Sequence, residues 1–313
     1  MPNQRKIVVT GAAGLLGQNL IPRLKAKKLG RIVGLDKHRV NNKTLVKLHP
    51  DVDVIDADLA RPGSWERAFE GLDVLVIGHA QIGGLDEKPF IDNNITATQN
   101  VLDAATRYGV RQIVHISSSV VNSRAQDFYT KSKKAQESLV VDRGLPTTVL
   151  RPTLMFGWFD RKHLGWLARF MQRTPVFPIP GNGRYLRQPL YVGDFCDVIT
   201  ACVETPRPHQ SFNISGQEKI DYIELIRAIK AATGAKTRIM KIPYFAFWLL
   251  LKAYGLIDRS PPFTTHQLEA LVTPDVFEVT KWPTIFGVRA TPLAEALAET
   301  FQDPVFSHIV LEF

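Results

Sequence analysis

The sequence predicts an α/β chain: a doubly wound parallel sheet, followed by a smaller, irregular C-terminal region. Three observations predict it. Short apolar runs alternate with amphipathic stretches along the first half of the chain. The apolar runs are continuous, as strands covered on both faces require. A glycine-rich turn joins the first apolar run to the first amphipathic stretch.

The elements follow in order. Lys6–Thr10 reads as a buried strand, Gly14–Lys28 as a helix and Arg31–Asp36 as the second strand. Val52–Asp56 is a third strand, Gly63–Phe69 a helix and Asp73–Gly78 a fourth strand. Phe90–Tyr108 is a long helix that Gly109 is placed to cap. Arg111–Ser117, the helix Phe128–Asp142 and the strand Thr147–Arg151 complete the alternation. Beyond Arg151 the pattern loosens, with prolines and aromatics around Thr174–Pro180. A helix at Gly193–Glu204, a strand at Ser211–Ile214 and a helix at Tyr222–Thr233 are expected there. We divide the chain into a first domain, 1–155 with a return segment near 189–214, and a substrate domain, 156–188 with 215–313.

The chain has 313 residues, a net charge of +9 and 45% hydrophobic residues, an ordinary globular composition. The basic balance favours anionic partners, but no zinc-finger spacing and no interleaving of aromatics with basic runs points to nucleic acid. Cys196 and Cys202 form no Cys-x-x-Cys pair, so neither a metal site nor a disulfide framework is expected. No secretory leader or membrane-spanning run is read in the sequence, and a cytoplasmic protein is expected.

The turn Thr10-Gly11-Ala12-Ala13-Gly14-Leu15-Leu16-Gly17 has the spacing G-x-x-G-x-x-G. Between a strand and a helix this suits a dinucleotide pyrophosphate. Gly11 permits the tight turn, Gly14 lets the backbone approach the ligand, and Gly17 allows close helix–sheet contact. Ala13 and Leu15 complete the cradle. Asp36 ends the second strand, where a carboxylate binds the ribose hydroxyls of an adenosine. That favours NAD. Lys37, His38 and Arg39 follow at once and keep NADP open.

Tyr129 and Lys133 stand four apart on a predicted helix and share a face. An ammonium beside a phenol is expected to lower its pKa, so that Tyr129 exchanges a proton with a carbonyl or hydroxyl oxygen. Ser117-Ser118-Ser119 ends the fifth strand. Ser119 is the first choice to hydrogen-bond the reacting oxygen, and Ser118 the second.

With these motifs in order, the chain resembles the extended short-chain dehydrogenase/reductase superfamily. Its NAD-dependent epimerase/dehydratase, 3β-hydroxysteroid-dehydrogenase-like and complex I accessory-subunit-like branches are the nearest in pattern. The resemblance covers about residues 5–215 and is carried by TGAAGLLG, Asp36, Asp58-Leu59, DNNITATQNVLDAA, the serine run, YTKSK, LRPTLMFG and QPLYVGD. It implies a Rossmann fold and catalysis by Ser119, Tyr129 and Lys133. It places Asp58 and Leu59 beside the adenine, and Gly78, His79, Ala80 and Ser117 near the cofactor. Asn94 would support the nicotinamide end, with Arg151, Pro152 and Thr153 by the carboxamide. A homodimer through the long helices Phe90–Tyr108 and Phe128–Asp142 is implied as well.

The substrate is less specified. Arg187 sits where sugar-nucleotide enzymes place an arginine on the diphosphate, and a nucleotide-sugar epimerase or keto-reductase is the first expectation. Only nine residues separate Ser119 from Tyr129, shorter than those enzymes usually carry. That, together with QPLYVGD, supports a reductase of a sterol-like or sphingoid lipid. A cofactor-binding subunit without turnover is the third reading. Ser118 and Val120 flank Ser119 without an acidic pair, which argues against dehydration. The stretch 243–254 is apolar on most faces and reads as a buried helix, as peripheral membrane contact or as a wall for a lipophilic substrate. Another helix is expected to start at Phe263–Leu268.

Overall fold

The computed structural model describes residues 5–257, Leu268, Val272 and 277–312. The helix start expected at Phe263–Leu268 therefore lies outside the described residues, apart from Leu268.

The first half alternates as predicted. It runs β1 (Lys6–Thr10), α1 (Leu15–Ala26), β2 (Arg31–Asp36), α2 (Arg39–Leu48), β3 (Asp53–Asp56) and β4 (Val74–Ile77). Then come α3 (Lys88–Phe90), a π-helical turn (Ile91–Thr96), α4 (Ala97–Arg107), β5 (Gln112–Ile116), α5 (Phe128–Asp142) and β6 (Thr147–Pro152). Gly109 takes φ 69° just past α4, the left-handed C-terminal cap expected of it.

Two local expectations change. Ser64–Phe69 is 3-10 rather than α-helical, held between Pro62-Gly63 and the turn at Gly71. The helix α2 is absent from the sequence reading because Asn41, Asn42, Lys43 and Thr44 mask its periodicity. His38 caps it by accepting from Asn41 N at 3.4 Å.

The second half contributes β7 (Met155–Phe156), α6 (Leu164–Arg173), β8 (Val176–Pro180), β9 (Leu186–Arg187), β10 (Leu190–Tyr191) and α7 (Val192–Glu204). After β11 (Gln210–Ile214) follow β12 (Ile220–Asp221), α8 (Tyr222–Thr233), β13 (Arg238–Ile242) and α9 (Tyr244–Ile257). Two further helices close the described chain, α10 (Trp282–Phe286) and α11 (Leu293–Gln302).

The main sheet is seven-stranded and parallel, in the order β11-β6-β5-β4-β1-β2-β3. Each central strand is buried on both sides. Ile7 and Val9 join one core and Val8 the other; Val76 and Val114 face the first, Leu75 and Ile113 the second. This is why these strands read as unbroken apolar runs. Strand order reverses between β1 and β4, and their carboxyl ends open the crevice where such sheets bind ligands.

QPLYVGD has a structural part in this fold. Gln188 donates to Gly216 O at 2.7 Å and accepts from Phe277 N at 2.8 Å. Asp194 accepts from Thr291 N at 2.9 Å and from Thr291 Oγ1 at 2.5 Å. The two side chains fasten the C-terminal segments to the sheet.

Candidate active site

A cavity of about 280 Å³ occupies the crevice at the carboxyl ends of β1 and β4. Its floor is the glycine turn. Gly11 has φ +71°, and a Cβ there would lie 2.8 Å from the backbone of Gly78 and His79. A Cβ on Gly17 would come within 2.4 Å of Ala12 O, so only glycine lets α1 lie this close to the turn. The N-terminus of α1 at Gly14 has no side-chain cap and no acid in its first turn. Its amides therefore keep their positive end for an anion, and Gly14 and Leu15 line the cavity.

One end of the cavity is marked by Asp36. Its Oδ2 accepts from Ala13 N at 3.0 Å and its Oδ1 from His38 N at 2.9 Å. The carboxylate is thus held rigidly by two backbone amides, with lone pairs left for ribose hydroxyls. Lys37 lines the cavity, but its Nζ donates to Asn93 Oδ1 at 2.6 Å, and Arg39 faces Asp56 at 3.7 Å. The basic residues that follow Asp36 are engaged elsewhere, which suits NAD better than its 2′-phosphate. Asp58 and Leu59 line the same end.

The other end gathers Gly78, His79, Ala80, Ser117, Ser118, Tyr129, Lys133, Pro152 and Thr153. Lys133 is 1% exposed, and its Nζ donates to Ile116 O at 2.9 Å and to Gln136 Oε1 at 2.5 Å. Burial pushes its amine down to about 7, against the upward pull of Glu137. Gln136 in turn donates to Thr98 Oγ1 at 2.9 Å, and Thr98 meets His79 Nε2 at 3.0 Å. His79 Nδ1 lies 2.8 Å from Thr10 Oγ1. Burial, then the charges of Lys133 and Lys37, press the His79 imidazole to about 3, so it is a neutral bridge between two threonines.

Tyr129 differs from its expectation. Burial raises its phenol pKa, and the lowering influence is a hydrogen bond with Ser118 rather than Lys133. The reason is physical: the Lys133 amine is itself driven toward neutrality and is turned to Ile116 and Gln136.

Several other sequence-predicted residues stand elsewhere. Ser119 does not line this cavity. It borders a neighbouring one with Asn122, Arg151, Thr153 and Asn213, while Ser118 meets Tyr129. Arg151 pairs with Glu137 at 2.5 Å and lies in that neighbouring cavity, not against the first. Arg187 lines neither, and its guanidinium stacks 5.5 Å from the Tyr185 ring. Ala13 and Gly17 act from behind the wall. So does Asn94, which is buried in the π-helical turn: it accepts from Gln81 N at 2.6 Å and donates to Ser132 Oγ at 2.9 Å. Gln81 and Ile82, by contrast, line the cavity although no motif marks them, and Gln136, equally unmarked, bonds Lys133 behind it. A loop glutamine and an apolar loop residue carry no motif; Gln136, three residues after Lys133, could have been found from helical spacing.

Known proteins agree with this architecture. The model of the NAD dependent epimerase/dehydratase family matches residues 7–215. A UDP-glucose 4-epimerase of Vibrio cholerae is 22% identical, over 82% of this chain and 85% of its own. A ceramide reductase of Caulobacter vibrioides is 25% identical, over 94% of this chain and 88% of its own. Among solved structures, UDP-glucuronic acid 4-epimerase of Bacillus cereus in complex with NAD superposes with a TM-score of 0.72. It is 22% identical and covers 95% of this chain and 97% of its own. The family match spans the glycine turn, Asp36, the serine run and the Tyr129/Lys133 helix together, and the chain belongs to the NAD dependent epimerase/dehydratase family, an extended short-chain dehydrogenase/reductase.

Proposed function

We propose that this protein transfers hydride at a hydroxyl or keto carbon, with Tyr129 exchanging the proton and Ser118 and Lys133 assisting. The observation that carries the reading is that these three side chains line the same cavity as Asp36, with Ser118 against Tyr129. When bound, NAD supplies the hydride carrier and, in its oxidised form, a positive charge that favours the phenolate. Ser118 would hold the substrate oxygen and the Tyr129 oxygen in one hydrogen-bond cluster. As an ammonium Lys133 has three donors, two of them given to Ile116 and Gln136, and the third would be left for a ribose hydroxyl of the cofactor. In reduction, Tyr129 gives its proton to the carbonyl oxygen as the hydride reaches carbon; oxidation runs the same transfers backwards.

For the substrate, the geometry favours the keto or hydroxy lipid over the nucleotide-sugar, reversing the sequence-based order. Arg187 lies over the Tyr185 ring and does not line the cavity. Ile82 lines the cavity and is 57% exposed, and Phe128, exposed beside Tyr129, packs on Phe90 at 6.0 Å. Gly84 lies against the same Phe90 ring, which links the 81–87 loop to Phe128. An exposed apolar residue at the cavity, Ile82, suits a lipid body, and the likeness to the ceramide reductase supports it. The nucleotide-sugar reading draws support from the epimerase relative.

A test is NADH oxidation by the purified protein against a panel of keto-lipids in mixed micelles and of nucleotide-sugars. Turnover of a keto-lipid that is lost in Tyr129→Phe supports the reading. Turnover of nucleotide-sugars alone restores the second one, and full activity of Tyr129→Phe refutes the catalytic assignment. We also propose that the protein is a homodimer through the faces of α4 and α5, which light scattering tests. Among the described residues, no helix is long and apolar enough to cross a membrane.

A further inference from the structure

We propose that the outer face of α9, with the basic edge of β13 beside it, docks on an anionic lipid bilayer surface. The inference stands apart from the substrate reading, because it rests on a surface and not on the cavity.

Phe245, Leu249 and Lys252 stand at i, i+4 and i+7 and so share one side of the helix. Phe245 is 70% exposed, Leu249 53% and Leu250 60%. Tyr244 and Met240 are exposed next to them, while Phe247 and Leu251 on the inner side are half-buried. No other helix among the described residues exposes three such large apolar side chains within so short a span. Lone exposed apolar residues are ordinary; a contiguous patch marks a contact surface.

Charge identifies the occupant. Residues 225–257 contain no Asp or Glu, but they carry Arg227, Lys230, Lys236, Arg238, Lys241 and Lys252. Lys236, Arg238, Lys241 and Lys252 are all exposed, and Lys241 and Lys252 lie in or next to α9 in the chain. A second copy would bring the same cations to the same face, so self-association there is opposed by like charge. An anionic bilayer answers both features, taking the apolar side chains into its interface and the cations at its headgroups.

The side-chain arrangement suits that boundary. Phe245 and Trp248 stack at 6.4 Å with a 19° interplanar angle, and Lys252 Nζ lies 4.4 Å from the Trp248 ring centroid. The ammonium thus lies on the face of the indole, and a tryptophan paired with a cation suits the level between headgroups and chains. A 14-residue helix is about 21 Å long, short of the roughly 30 Å hydrocarbon core, so it lies in the interface plane.

The test is flotation of the full chain with vesicles of phosphatidylcholine alone and of phosphatidylcholine with phosphatidylglycerol. The wild type should float with the anionic vesicles, be released by salt, and stay behind with phosphatidylcholine alone. Phe245→Glu with Leu249→Glu should abolish flotation. Lys241→Gln and Lys252→Gln should each weaken it about fivefold. NADH binding, read by fluorescence, should be unchanged in all of them, which separates loss of docking from loss of fold. The proposal is overturned if the wild type never floats, or if the variants float as well as the wild type. It is also overturned if Phe245→Glu only converts a larger species to a smaller one in light scattering, because the face would then join two copies.

Discussion

Replacing Lys133 by methionine should remove a pH dependence of stability that a single buried amine imposes. Lys133 is 1% exposed and burial lowers its amine from 10.5 to about 7. The unfolded chain therefore binds a proton at this position, between pH 7 and 10.5, that the folded chain does not. Stability of the wild type must rise with pH through that window, by about 1.4 kcal/mol per pH unit where the difference is a full proton. Integrated from about pH 6.5 to about pH 9, the gain is about 2 to 3 kcal/mol. At the lower pH the buried charge costs at most about 5 kcal/mol. Methionine relieves that burden, but it leaves Ile116 O and Gln136 Oε1 without their donor, a loss of about 1–3 kcal/mol each that does not vary with pH. The sign of the difference at one pH is thus a balance, whereas its change with pH is not. Urea unfolding of both proteins at the two pH values measures it. Relative to the variant, the wild type should gain about 2 to 3 kcal/mol on going to the higher pH. A difference that stays constant would mean that the amine keeps an ordinary pKa and that burial does not drive it toward neutrality.

Three further outcomes follow from the site. Ser118→Ala should lower kcat about 10²- to 10³-fold, the effect of losing one donor to the reacting oxygen, and Ser119→Ala should change it little; equal effects in steady-state kinetics would return Ser119 to the site. Asp36→Ala should weaken NADH binding about tenfold to a hundredfold, through loss of charge-assisted hydrogen bonds to ribose, and NADPH binding much less. Fluorescence titration checks this, and an unchanged NADH to NADPH ratio would contradict the placing of Asp36. Gly17→Ala should destabilise the protein by about 1–3 kcal/mol, since the new methyl meets Ala12 backbone at 2.4–2.5 Å; calorimetry that shows no drop in melting temperature would contradict the close approach of α1.

The serine run illustrates what spacing can and cannot say. Strand, serines and Tyr-x-x-x-Lys in order locate the end of the cavity where the reaction is proposed, because β5 and α5 are neighbours in any such sheet. Which serine meets the phenol depends on how the chain leaves β5. Ser118 is extended, with φ −159°, and the 3-10 turn Ser119–Asn122 then carries Ser119 into the neighbouring cavity. A one-residue change at a strand end reverses the side a residue faces, and no periodicity in the sequence records it. Arg187 shows the same limit. Its position by order of motifs is reasonable, but the short pairing of β9 with β12 turns it onto Tyr185. Tyr129 and Lys133 share a helix face as spacing requires, yet burial first of all shifts their pKa values, opposed by Glu137 at the amine and by Ser118 at the phenol.

The sequence by itself determined the parallel α/β architecture, the dinucleotide turn with its acid at the end of β2, and the helix that carries Tyr129 and Lys133. These are local features, set by hydrophobic period, glycine stereochemistry and the spacing of residues on one element. Only the tertiary structure decided that Ser118 rather than Ser119 lines the cavity with Tyr129, that the Lys133 amine is driven toward neutrality, and that the greasy stretch from residue 244 turns apolar side chains outward. Each of these depends on which groups from distant parts of the chain exclude water from one another. Desolvation is a property of the packed ensemble of elements, not of any segment read alone.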